Sequence, residues 1–231
     1  MLRLENVTVT QDDFRLAADL TVREGARVAV IGPSGAGKST LLSVIAGFYP
    51  PAAGRVLWQG RDLTDLPPGD RPLSILFQDQ NLFPHLTVAE NVGLGIRPDL
   101  RLAPADRARV AEALERVGLA GMGDRRPGTL SGGQQSRVAL ARVLLRGRPL
   151  MLLDEPFDAL GPALRAEMLD LVAEIAGAMG ATMLMVSHNP ADALRIAPET
   201  ILVAEGHTHP PQSTAELLEN PPPALAAYLG N

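Results

Sequence analysis

The chain has 231 residues, with 21 Lys+Arg against 26 Asp+Glu, a formal net charge of −5 and no cysteine. These counts exclude a disulfide framework, a thiolate nucleophile, a cysteine metal site and a basic body built to wrap nucleic acid. A hydrophobic fraction of 46% supports a full core, in one domain or in one domain with an inserted lobe.

Residues Met1–Asn6 read MLRLEN, without the apolar run of a secretory signal, and no stretch of 18 apolar residues follows. A cytoplasmic chain is expected. Arg3–Thr10 alternates and predicts an edge strand, with Phe14–Val22 as its hairpin partner. Arg27–Ile31 (RVAVI) predicts a buried strand, and Ser39–Gly47 a helix ending at glycine. Arg55–Trp58 and Leu73–Phe77 read as short strands. Pro98–Ala120 predicts a helix with Leu102, Val110, Leu114 and Val117 on one face, and Ser131–Val143 a second. A helical insert is therefore expected over about residues 79–148. Leu150–Leu153, Ala181–Val186 and Ile201–Ala204 predict further strands, with a helix from Pro162 to Gly177. From Pro211 onward the chain is Pro-rich and predicts weak order. Strands separated by helices argue for an α/β sheet with crossover helices.

Two motifs carry chemistry. Gly32-Pro33-Ser34-Gly35-Ala36-Gly37-Lys38-Ser39 matches GxxxxGKS, between a predicted strand and a predicted helix that continues with Thr40. Its backbone amides and helix start suit phosphate oxygens. Lys38, the sole lysine, would reach the β- and γ-phosphates, and Ser39 would hold Mg²⁺. Leu150–Leu153 ends in Asp154-Glu155, at the carboxyl end of a strand, where α/β sheets place ligands. Asp154 suits Mg²⁺, and Glu155 suits the attacking water as general base. Together they point to nucleotide hydrolysis. His207 and His209 are spaced to share a metal on an extended strand, but without a third ligand they read as a surface turn.

Leu130-Ser131-Gly132-Gly133-Gln134 resembles the LSGGQ signature of ABC-type ATPases. The resemblance covers nearly the whole chain. It implies a P-loop NTPase of the ABC ATPase type, with an inserted helical subdomain and an antiparallel β-subdomain. It implies ATP and Mg²⁺ as ligands, and a head-to-tail pair in which Ser131, Gly132, Gly133 and Gln134 close on the ATP of the other copy. Gln78 resembles the glutamine that senses Mg²⁺ and the lytic water, and His188 the switch histidine at the γ-phosphate. Asn81–Asn91 resembles the segment beside the groove where a permease inserts a coupling helix.

Strings such as Ile31–Phe48 and Ile75–Gly95 resemble the ATP-binding subunits of thiamine importers, which implies ATP-driven import of thiamine and its phosphate esters. That implies a peripheral subunit on the cytoplasmic face of the bacterial inner membrane, with permease subunits and, indirectly, a periplasmic solute-binding protein. Importers of iron(III), polyamines or sulfate are the alternative; they usually add a C-terminal regulatory domain, and only about 25 residues follow Gly206. Non-transport ABC ATPases of DNA maintenance fit poorly: sustained heptads and basic lobes are missing, and no nucleic-acid partner is expected.

Three departures stand out. Gln11 occupies the place where related chains carry an adenine-stacking aromatic, with Phe14 nearby. The segment after Glu155 reads Asp158-Ala159-Leu160-Gly161 rather than SALD. The signature continues Gln134-Gln135-Ser136-Arg137 rather than QRQR.

Overall fold

The structure is a computed structural model that describes residues 1–79 and 81–229, so the last two positions of the expected 206–231 tail lie outside the described residues. The chain opens with a hairpin, β1 (Leu2–Gln11) and β2 (Phe14–Val22), paired antiparallel from Leu2↔Val22 to Gln11↔Phe14. Alternation is visible in burial: Leu2, Leu4, Val7 and Val9 are buried, while Arg3 and Thr10 are exposed. β3 (Arg27–Ile31) leads through the glycine-rich loop into α1 (Lys38–Ala46). β4 (Ala53–Trp58) pairs with β1, and the short β5 (Arg61–Asp62) closes that edge. β6 (Leu73–Leu76) follows.

Three helices then pack on one another: α2 (Val88–Gly93), α3 (Pro104–Arg116) and α4 (Gly132–Arg146). The expected helix over Pro98–Ala120 is shorter at both ends. Pro104 sits at its first turn, where a missing N–H costs nothing, and residues 98–103 precede it. Gly118, at φ 72, lies beyond its end. The chain returns through β7 (Leu150–Asp154), α5 (Pro162–Met179), β8 (Thr182–Val186), α6 (Pro190–Ile196) and β9 (Glu199–Ala204).

The Pro-rich end is more ordered than expected. β10 (His207–Thr208) and β11 (Gln212–Ser213) both pair with β9, and α7 (Thr214–Glu219) and α8 (Pro223–Leu229) follow. Proline at the start of α8 is compatible with helix, and Leu217 and Leu225 are buried in the core.

The strands run in the order β5-β4-β1-β2-β10-β9-β3-β8-β7-β6. β9, β3, β8, β7 and β6 are mutually parallel. Parallel strands covered on both faces read as continuous apolar runs. Here the two faces feed separate cores. Ile31, Met151, Leu153, Met183 and Met185 join α4, α5 and α6 on one side. Val28, Val30, Leu150, Leu152, Leu184 and Val186 join α1 and the antiparallel strands on the other. The carboxyl ends of β3, β7 and β8 are thereby fixed side by side.

Candidate active site

Gly32 leaves β3 at φ 152, and a Cβ there would stand 1.9 Å from the Val203 carbonyl oxygen of β9. Gly37 caps α1 at φ 103, and its Cβ would meet Phe14 Cζ at 2.7 Å. Only glycine accommodates both the dihedral and the close approach. Lys38 follows, 7% exposed, with Nζ donating to the Gly32 and Pro33 carbonyls at 2.9 Å each. An ammonium has three donors, so one remains for a phosphate. Burial lowers the pKa of Lys38, and the charges of Glu155 and Asp154 act in the opposite direction.

β7 delivers the acidic pair. Ser39 Oγ donates to Asp154 Oδ1 at 2.9 Å, which brings a hydroxyl and a carboxylate together at the start of α1. Hard oxygen donors of this kind suit Mg²⁺. Burial raises the carboxyl of Asp154 above the usual range, opposed by the Ser39 hydrogen bond. Glu155 turns at φ 45, a left-handed conformation uncommon outside glycine, and its N–H is held by the Val186 carbonyl at 3.2 Å. Its carboxyl is also raised, first by desolvation and then by a hydrogen bond and charge from Asp158.

Glu155 shares a cleft of about 300 Å³ with Ser34, Gly35, Lys38, Ser39 and Thr40. Gln11 and Phe14 form its outer wall. Gln11 and Phe14 thus line the same cleft, with Phe14 packed close to Gly37.

His188 follows β8. Its Nδ1 lies 2.7 Å from Asp158 Oδ2, and its side chain is 52% exposed. Asp158 also accepts from Arg165 Nη2 at 2.7 Å. Arg165 Nε donates to Asp192 at 2.8 Å, and Ser187 Oγ donates to the same carboxylate at 2.8 Å. From the C-terminal helix, Tyr228 Oη donates to the His188 carbonyl at 2.5 Å. Arg165, Asp192 and Tyr228 had no motif to single them out. Asp158 was visible only as a departure from a pattern.

Gln78 is exposed just beyond β6 and does not line this cleft. Neither do Ser131, Gly132, Gly133 and Gln134. These four open α4 with a capping box: Ser131 Oγ accepts from the Gln134 N–H at 3.3 Å, and Gln134 Oε1 from the Ser131 N–H at 3.0 Å. Ser131 and Gly132 are exposed, while Gly133 packs against Leu164 of α5. The positive end of α4 is therefore exposed, and it stands outside the cleft of the chain's own phosphate loop. His207 pairs with the Glu205 carbonyl at 2.8 Å, and neither it nor His209 joins a three-ligand cluster among the described residues.

A second depression, of about 420 Å³, lies between β6 and the helices. Phe48 (53% exposed) and Phe83 (45% exposed) are among its apolar lining, and Arg142 and Arg146 among its basic lining. Among the described residues no helix is long and apolar enough to cross a membrane.

The sequence profile of the ABC transporter family matches residues 17–158. The chain is 67% identical over 230 residues to the thiamine import ATP-binding protein ThiQ of Cereibacter sphaeroides, covering 100% of both chains. It is 50% identical to the protein of the same name from Yersinia pseudotuberculosis, covering 100% of this chain and 97% of that one. Among solved structures, a dimeric post-hydrolysis state of the ATP-binding cassette MJ0796 with ADP and Pi superposes with TM-score 0.78. That match has 31% identity and covers 93% of this chain and 99% of the other.

Proposed function

The chain belongs to the ABC transporter family, and on that footing we propose that it is the ATP-hydrolysing subunit of a thiamine importer. The observation that carries the reading is the single cleft holding Lys38, Ser39 and Glu155, with Asp154 bonded to Ser39. Lys38 and the amides of Gly35, Ala36 and Gly37 bind the β- and γ-phosphates of ATP. Ser39 and Asp154 would hold Mg²⁺, which when bound supplies positive charge at the phosphate oxygens, and Gln78, outside the cleft here, would have to move in to join them. Glu155 orients water and takes its proton; a carboxyl raised by burial is suited to that transfer.

A signature that is exposed and lies outside the cleft of its own loop supports a partner copy. In this reading two chains stand head to tail, and Ser131, Gly132, Gly133 and Gln134 of each close on the γ-phosphate held by the other. His188 adds charge there. Residues 79–148 act as the helical subdomain, and the depression lined by Phe48 and Phe83 takes the permease. The subunit then sits on the cytoplasmic face of the bacterial inner membrane, fed indirectly by a periplasmic thiamine-binding protein. The thiamine assignment rests on full-length relatives of that name.

Reconstitution of the chain with its permease in liposomes tests the reading. Thiamine uptake that needs ATP and stops with Glu155→Gln is expected. Uptake of a polyamine or iron(III) in place of thiamine would overturn the substrate assignment.

A further inference from the structure

Asp158 stands between two functional side chains. Its Oδ2 meets His188 Nδ1 at 2.7 Å, and its carboxyl stands beside that of Glu155. One ligand atom from each of these three residues lies within 4.8 Å of the others. The Asp158 side chain is 9% exposed, and Arg165 grips its second oxygen at 2.7 Å. Arg165 is fixed in turn by Asp192, and Asp192 by Ser187, the residue before His188. The ring of contacts therefore closes on the histidine it starts from.

The carboxylate three residues on is absent: residue 161 is glycine, where a Cβ would meet nothing within 4 Å. The acid of this loop lies at 158, inside the ring, and not at the exposed 161.

We propose that Asp158 is a positioning residue for ATP hydrolysis, one that holds the His188 imidazole with Nδ1 turned inward so that Nε2 is the nitrogen offered to the γ-phosphate. A carboxylate on one ring nitrogen sets the tautomer and the orientation of the other. In the doubly protonated ring both nitrogens donate, so Asp158 accepts one bond and a phosphate oxygen the other. The inference rests on the ATPase reading above.

The test combines a spectrum with kinetics. Nitrogen-15 spectra of labelled histidine should show His188 of the wild type as the Nδ1–H tautomer, identified by its absence in His188→Ala. In Asp158→Ala the signal should move toward the Nε2–H tautomer, and Asp158→Asn, which keeps an accepting oxygen, should restore it. Asp158→Ala should lower kcat by about 10-fold with KM for ATP within about twofold, and Asp158→Asn should recover most of that loss.

An unchanged tautomer in Asp158→Ala, or a raised KM with kcat intact, overturns the proposal. Should Asp158→Ala fail to fold, Asp158→Asn combined with His188→Ala decides. Its kcat must equal that of His188→Ala alone, and any further loss overturns the proposal. A wild-type chain with no ATP turnover sinks the ATPase reading itself, whatever the tautomer.

Discussion

Arg71 is 1% exposed, and its guanidinium is given over to backbone carbonyls. Nη1 donates to Val44 and Ile45 at 2.8 and 2.9 Å, Nε to Leu66 at 2.9 Å and Nη2 to Thr64 at 2.9 Å. It thus closes carbonyls at the end of α1 that a helix leaves open, and ties them to the chain after β5. Arg71→Leu should cost about 3 kcal/mol, read as a lower urea midpoint at unchanged slope. Arg71→Lys should recover little, because a point charge cannot reproduce the fork. Lys38 is the sole lysine and is nearly buried in the phosphate loop. An amine-reactive label should therefore find only Met1 and Lys38, with ATP and Mg²⁺ protecting the second. Lys38→Ala should slow hydrolysis by roughly 100-fold, the scale of losing one charge-stabilising donor.

The six-residue α2 is too short for periodicity, yet it begins with a full capping box. Thr87 Oγ1 accepts from the Glu90 N–H at 3.2 Å, and Glu90 accepts from the Thr87 N–H at 2.7 Å. The backbone and side chain of Thr87 hold the Glu90 carboxyl below the usual range. Its folded value lies below its unfolded one, so the stabilisation is full above the unfolded value and fades as pH falls through the folded one. Glu90→Gln should remove that acid-side dependence, read as the thermal midpoint against pH below about 5. The tail gives a second test at this scale. Tyr228→Phe loses the bond to the His188 carbonyl, and amide exchange at Ser187–Asn189 should quicken while global stability falls by about 1 kcal/mol. These cases also mark what was legible in the sequence. The strand, glycine loop and helix around Lys38 form one contiguous string with one meaning, and β7 announces itself as four apolar residues before two acids. The signal for α2 was present in Thr87 and Glu90, but as a cap rather than a period. The links among Asp158, Arg165, Ser187 and Asp192 join a loop to α5 and α6, and only the packing of those elements creates them. Tyr228 is 40 residues from His188, and no local pattern predicts their contact.

At the scale of the whole molecule, one sheet with separate cores on its two faces holds the ends of β3, β7 and β8 in register, and that is what gathers the cleft. The same architecture leaves Ser131 and Gly132 at the start of α4 exposed, and on the proposed function one chain then carries halves of two different sites. On the proposed function, the depression lined by Phe48, Phe83, Arg142 and Arg146 is where the permease docks. Phe48→Asp should uncouple uptake from hydrolysis in the reconstituted transporter while leaving ATP binding in place. The proposed head-to-tail pair requires ATP to be shared between copies. Sedimentation equilibrium of Glu155→Gln tests that most directly, because on the proposed mechanism this variant should bind ATP without consuming it. With ATP and Mg²⁺ it should sediment at twice the 24.5 kDa chain mass, with one nucleotide per chain, and return to monomer on chelation or in the Ser131→Arg background. A monomer at saturating ATP, or a dimer that ignores both nucleotide and Ser131, would contradict it.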